Sequence, residues 1–337
     1  MKKQGIILQI ILLFMTTAMV SCVDEETYSD TSQGNFEALW KIMDEHYCFF
    51  DYKKEKLGVD WKEIYNEYSR KVKGANDEQL FEVLSDMLGE LKDGHVNLVS
   101  SFDLGRNWSW KENYRTNFSE HVYDWYMGKD YRIAGGISYR ILGDNIGYMR
   151  ISSFSNEPGD GNIDEIFYHF MACRSIIIDI RENGGGLLTY ASKLASRFTN
   201  QEILVGYMRH KTGTGHNDFS PMMERKLKPS ARIRWQKQVF VLTNRGVFSA
   251  ANDFVMYMKQ CPKCTVIGDS TGGGAGLPFS SELPNGWGVR FSACPAYDVD
   301  KNSIEHGIEP DVKCELSDSD EASGIDTLIE TARGLTE

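Results

Sequence analysis

A chain of 337 residues with 41% hydrophobic and 25% charged positions can bury a large core, which excludes a disordered or fibrous protein. Its formal net charge of −11 argues against nucleic acid as a partner, and no basic stripe runs along it.

The first 22 residues, MKKQGIILQIILLFMTTAMVSC, join two lysines to an apolar run and then small residues, the pattern of a secretion signal. Gln9 interrupts the run, which is short for a stable membrane span. The ending MVSC resembles the lipobox of bacterial lipoproteins, and the following VDEE resembles the acidic tag of surface-exported lipoproteins. That resemblance implies removal of residues 1–21, lipidation of Cys22 and a membrane partner reached through the lipid anchor. The location implied is the cell envelope, as an outer-membrane and surface-exposed lipoprotein. A plain cleaved signal peptide is the alternative. Residues 22–34 are polar and acidic and read as a tether.

From Asn35 the apolar spacing becomes helical. FEALWKIMDEHY puts Phe36, Leu39, Trp40 and Met43 on one face, and DEQLFEVLSDMLGEL does the same with Leu80, Val83, Leu84, Met87 and Leu88. Residues 35–92 are therefore expected to form a helical N-terminal subdomain. Residues 93–145 read as a connecting segment rich in Trp and Tyr, whose rings either line a groove or pack the two halves together. From residue 146 to 337, short apolar runs alternate with helical patterns. IGYMRI, SIIIDI, ILVGYM, VFVLTN and TVIGD read as strands, with LTYASKLASRF and SAANDFVMYMK as helices and GWGVRFSACPAY as a hairpin strand. The alternation predicts an α/β core on a mainly parallel sheet.

Six cysteines follow Cys22, at positions 48, 173, 261, 264, 294 and 314. Export permits disulfides, but spacing does not fix their pairing. CPKC (261–264) has zinc-knuckle spacing without a matching second pair, and no HExxH occurs, so neither a metal nor another cofactor is expected. Turn thiols or one local disulfide account for it.

Four segments carry possible chemistry. In VFVLTNRGVFSAANDFVMYMKQ, Ser249 stands where a buried strand turns into a helix. It is either an N-cap or a nucleophile at the positive end of a helix dipole. DIRENGGGLLTYASKL runs a strand into Gly184, Gly185 and Gly186, a loop that lets another backbone approach and turns N–H groups toward a cavity. Neither Walker spacing nor GxGxxG is present, so phosphate cradling is not indicated. KDGHVNL supplies His95, and SIEHGIEPDV supplies Glu305, His306, Glu309 and Asp311. A serine, a histidine and a carboxylate far apart in sequence are what a triad assembled in space requires.

Taken in order, LKDGHVNL, DIRENGGG, TNRGVFSAANDF, GDSTGGGAGLP and IEHGIEPDV resemble the C-terminal processing and tricorn-core family of serine peptidases, over roughly residues 35 to 315. The resemblance implies an α/β core like that of Clp peptidase and crotonase, with a helical N-terminal subdomain, acting on peptide or protein substrates. The processing-peptidase branch carries a lysine in a glycine turn after the nucleophile and a PDZ domain. Here that turn is TGGGAG (271–276), and only about fifty residues separate Leu98 from Ile146, too few for a PDZ domain. The tricorn-like branch implies Ser249 as nucleophile, His95 as general base, Glu305 as the distal orienting acid, and the N–H groups of Gly186 and Ala250 as oxyanion donors. Three positions depart from that pattern. Gly94 replaces the serine before the histidine, Asn252 replaces a glutamate three residues after the nucleophile, and His306 is a spare base beside Glu305. Two rival readings remain: a non-catalytic lipoprotein binding a ligand through residues 108–131, and an acyl-CoA enzyme of crotonase type, which needs no Ser–His pair.

Overall fold

The computed structural model describes residues 28–337. The signal segment 1–21, Cys22 and the tether up to Thr27 lie outside the described residues.

Four helices open the fold: α1 (Ser32–His46), α2 (Phe50–Leu57), α3 (Trp61–Lys71) and α4 (Asp77–Gly89). Three of their starts, those of α1, α3 and α4, follow from side chains that satisfy otherwise unpaired helix N–H groups. Thr31 accepts from Gly34, Asp60 from Lys62 and Glu63, and Asn76 forms a reciprocal box with Gln79. The Thr31 cap brings the first helix forward to Ser32, so the tether expected over residues 22–34 is shorter than its composition suggests. After α4 come β1 (Asn97–Val99), β2 (Leu104–Arg106), α5 (Glu120–Met127), β3 (Arg132–Ala134), β4 (Ile137–Ile141) and β5 (Gly147–Arg150). The chain continues through α6 (Asp160–His169), β6 (Ser175–Asp179), α7 (Leu188–Ala195), β7 (Ile203–Met208), β8 (Met223–Leu227) and β9 (Gln238–Thr243). It ends with α8 (Ala250–Gln260), β10 (Cys264–Gly268), β11 (Gly276–Glu282), β12 (Gly288–Tyr297), β13 (Val312–Lys313), α9 (Asp318–Ala322) and α10 (Thr327–Gly334).

Two sheets organise these elements. The larger runs β13-β10-β9-β6-β5-β4-β3, parallel from β13 to β5 and antiparallel through β4 and β3. Every residue of β5 and β6 is buried, as a parallel sheet covered on both faces requires. The second sheet is antiparallel, in the order β2-β1-β12-β7-β8, with β11 added to β12 as a hairpin. The α/β core read from the alternation is therefore present, with one correction. ILVGYM, β7, leaves the parallel sheet and pairs with β8 and β12. Its burial is mixed where that of β6 is complete, which fits a strand outside the covered sheet.

The expected boundaries at 92/93 and 145/146 do not separate domains. Residues 93–145 contribute β1 and β2 to the second sheet and β3 and β4 to the first. Phe36, Leu39 and Met43 of α1 and Leu84 of α4 share one buried cluster with Ile176, Ile178 and Val241 of the large sheet. Burial of apolar area across that contact, roughly 25 cal/mol per Å², binds the helical region to the sheets.

Candidate active site

Strand β9 carries the chain through buried residues to a corner at Ser249, where α8 begins. Ser249 has φ 57° and ψ −125°, a backbone conformation that costs a non-glycine residue about 1–3 kcal/mol and persists only where its surroundings hold it. They do. Its N–H donates to Gly273 O (2.9 Å), its own carbonyl accepts from Asp253 N–H (3.1 Å), and Phe248 N–H donates to Asn183 O (3.0 Å). The hydroxyl does not cap the helix. It lies 2.8 Å from His95 Nε2. Of the two readings of Ser249, the N-cap is therefore not the one seen.

His95 is only 3% exposed. Its backbone N–H donates to Asp93 Oδ1 (2.8 Å), and the Phe248 ring lies against the imidazole at 4.9 Å. Asp93 Oδ2 in turn accepts from Tyr47 of the α1–α2 turn (3.0 Å) and from Ser292 of β12 (2.9 Å). Burial pushes His95 down to about 4, with the Asp93 carboxylate pulling the other way and Arg290 adding to the depression. The imidazole is thus neutral at ordinary pH and able to accept a proton. Burial alone would raise Asp93, but the nearby Lys53 ammonium and the donors around it hold Asp93 below the usual carboxylate range.

Glu305 makes no direct bond to the histidine ring, so it does not orient His95 by direct contact. Its Oε1 accepts from Lys53 Nζ of α2 (3.0 Å) and its Oε2 from Ala275 N–H (2.9 Å). His95 Nδ1 has no hydrogen-bond partner among the described residues. The reason lies at position 94. A Cβ on Gly94 would sit 2.6 Å from Trp110 Nε1 and 2.9 Å from the Phe248 ring, so the indole occupies the place a serine relay would need. Burial pushes Glu305 up to about 7 despite Lys53, while the carboxylates of Glu305 and Asp93 outweigh burial and keep Lys53 protonated.

The glycine loop lies directly against Ser249. A Cβ on Gly185 would be 2.8 Å from Ser249 Cβ and 2.9 Å from Ala250 N. Gly185 N–H is bonded to Asn183 Oδ1, whereas Gly186 and Ala250 N–H make no hydrogen bond among the described residues. Gly186 has φ +142°, and a Cβ there would come within 2.3 Å of the Phe154 backbone, so no other residue fits.

The spare groups go elsewhere. His306 packs on Tyr52 at 5.1 Å and lines a different cavity. Asn252 accepts from Thr271 Oγ1 (2.6 Å) and donates to Ile304 O (3.3 Å), tying α8 to the loop that carries Glu305. Asp311 pairs with Lys259 at 2.6 Å, and Glu309 accepts from Ser270. The six cysteines among the described residues are free thiols, Cys261 and Cys264 included.

Residues 145–314 match the profile of Peptidase family S41, and residues 28–89 match the Tricorn protease C1 domain. The chain belongs to peptidase family S41. A crystal structure of a candidate peptidase from Parabacteroides merdae is 51% identical, covering 91% of this chain and 97% of that one, with a TM-score of 0.86. Mature CPAF shares the fold at a TM-score of 0.69 and 14% identity, over 91% of this chain and 96% of its own. The carboxy-terminal processing protease CtpA of Bacillus subtilis is 26% identical over 177 residues, which are 52% of this chain and 36% of CtpA. The match thus spans about a third of that curated relative. Within the S41 fold of this chain, sequence reasoning missed Lys53, Asp93, Tyr47 and Ser292. Lys53 was the most legible of these, since it stands three residues after buried Phe50 on the inner face of α2.

Proposed function

We propose that the protein hydrolyses peptide bonds through an acyl-enzyme on Ser249. The 2.8 Å approach of its hydroxyl to His95 Nε2 carries the proposal. A serine hydroxyl attacks only when a base takes its proton, and a neutral imidazole does this at neutral pH. Oγ bonds to the substrate carbonyl carbon while its proton passes to Nε2. The C–N bond then breaks as the same proton reaches the leaving amine. A water attacks the ester by the same route, frees the carboxylic acid and returns the hydrogen to Ser249. The oxyanion formed at each tetrahedral stage accepts from Gly186 and Ala250 N–H, and losing one such donor typically costs about 10²–10³ in rate.

His95 acts here without a carboxylate on Nδ1. Asp93, bonded to the histidine backbone and buried beside it, supplies the negative charge that favours the imidazolium once formed. Glu305 is one layer further back, where it holds Lys53. Ser249→Ala removes the nucleophile, and hydrolysis of peptides and labelling by a fluorophosphonate both disappear while circular dichroism stays native. Turnover surviving in that variant would refute the assignment. Cys22 supports a place for the protein in the cell envelope, anchored by lipid. Metabolic labelling with a palmitate analogue, lost in Cys22→Ala, tests it.

A further inference from the structure

The cleft above Ser249 has a volume of about 530 Å³ and a charge opposite to that of the whole protein. Three cations line it, Arg106, Lys111 and Arg290, against a single carboxylate, Glu182, among the described residues. Glu182 is itself engaged, accepting from Asn244 Nδ2 at 2.8 Å. None of the three cations forms an ion pair among the described residues, although the chain has 48 acidic side chains to offer.

The cations are also fixed relative to the nucleophile. Trp110 stacks on Phe248, the residue before Ser249, with ring centres 4.2 Å apart and planes at 23°. Lys111 lies over Trp110 at 5.8 Å and over Trp108 at 5.4 Å, and Arg106 lies over Trp108 at 4.6 Å. From the other wall, Arg290 of β12 is paired across the sheet with Asn97, two residues from His95. Cations held over aromatic faces keep their charge and lose side-chain freedom, so a carboxylate arriving between them loses less entropy in being bound. A cleft lined by one sign of charge also concentrates ligands of the other sign.

On the peptidase reading above, we infer that the cleft selects peptides carrying a carboxylate within a residue or two of the scissile bond. Arg106, Lys111 and Arg290 receive it, whether it belongs to an Asp or Glu side chain or to the peptide C-terminus.

Matched fluorogenic peptides test this on the full chain. One carries Glu beside the cleavage site with both ends blocked, a second carries Gln there with both ends blocked, and a third carries Gln with a free C-terminal carboxylate. At low ionic strength, roughly 0.01 M, one or both carboxylate peptides exceed the neutral one in kcat/KM by on the order of tenfold, and the ratio shrinks toward one near roughly 1 M salt. Preference for the first peptide assigns a side chain as the source, and preference for the third assigns the C-terminus. In the triple variant R106Q/K111Q/R290Q the ratio collapses. The same peptides are titrated by fluorescence anisotropy into Ser249→Ala protein, where binding is read without turnover. Preference in binding with no hydrolysis by the wild type upholds the inference and overturns the peptidase reading. Hydrolysis and binding with no preference for a carboxylate, or with preference for the neutral peptide, overturn the inference and leave the peptidase reading standing.

Discussion

Around Ser249 the contacts run from backbone to backbone. Its N–H meets Gly273 O, its carbonyl receives Asp253 N–H, and the glycine loop presses on its Cβ. Behind His95 they run from side chain to side chain, through Asp93 to Tyr47 and Ser292, with the Lys53–Glu305 pair beside them. Backbone contacts between short segments tolerate exchange of many side chains. A buried group of two carboxylates and one ammonium does not, because each member exists to offset another. The histidine side of the pair is therefore the fragile one, although the serine side holds the strained residue.

The largest test of that contrast removes the ammonium. Lys53→Met leaves Glu305 and Asp93 buried without a cation and costs about 3–5 kcal/mol in urea unfolding. Adding Glu305→Gln to the same protein recovers part of the loss. If Lys53→Met unfolds at the wild-type midpoint, the charge group is not what supports this side of the site.

A smaller effect comes from the relay position. Gly94→Ser forces a side chain into Trp110 and Phe248, an overpacking that costs roughly 1–3 kcal/mol, and kcat/KM falls with it. Trp110→Ala in the same protein makes room, so the double variant is more active than the product of the two single effects predicts. Multiplicative effects would show that the indole does not exclude the relay.

The smallest effect is a shift in pH dependence. With His95 held down to about 4 by burial, the acid limb of kcat/KM lies near pH 4 rather than at the ordinary value of 6.5. Asp93→Asn removes the charge that opposes this and moves the limb lower still. The stability consequence has a definite sign. His95 is more acidic folded than unfolded, so between 6.5 and about 4 the unfolded chain binds a proton that the folded one refuses. The contribution is complete above 6.5 and is lost as pH falls toward 4. An acid limb found at 6.5 in the free protein would mean that the imidazole is solvated.

The same division explains which parts of the molecule could be read from sequence. Ser249, the 184–186 glycines and the four central strands β5, β6, β9 and β10 of the large sheet announce themselves because each lies in one contiguous segment whose local geometry demands those residue types, whereas β3, β4 and β13 at its edges do not. Lys53 was hidden in YKKEKL, a run that resembles a solvated surface, and only its spacing from Phe50 marks it as inward. Asp93 was visible in KDGH but had no stated task until Tyr47 and Ser292 met it from 46 and 199 residues away. Glu305 was located, but its direct partners Lys53 and Ala275 were not legible, since no sequence pattern says that Trp110 fills the space beside Gly94. The Trp-rich segment did both things expected of it at one residue: Trp110 packs on Phe248 and also lines the cleft.

Tyr47 comes from the α1–α2 turn and Lys53 from α2, yet they brace the surroundings of a histidine whose serine partner lies 154 residues further on. A chain cut short of α1 and α2 has no braced imidazole to offer, so the His95–Ser249 pair depends on both ends of the fold being in place together.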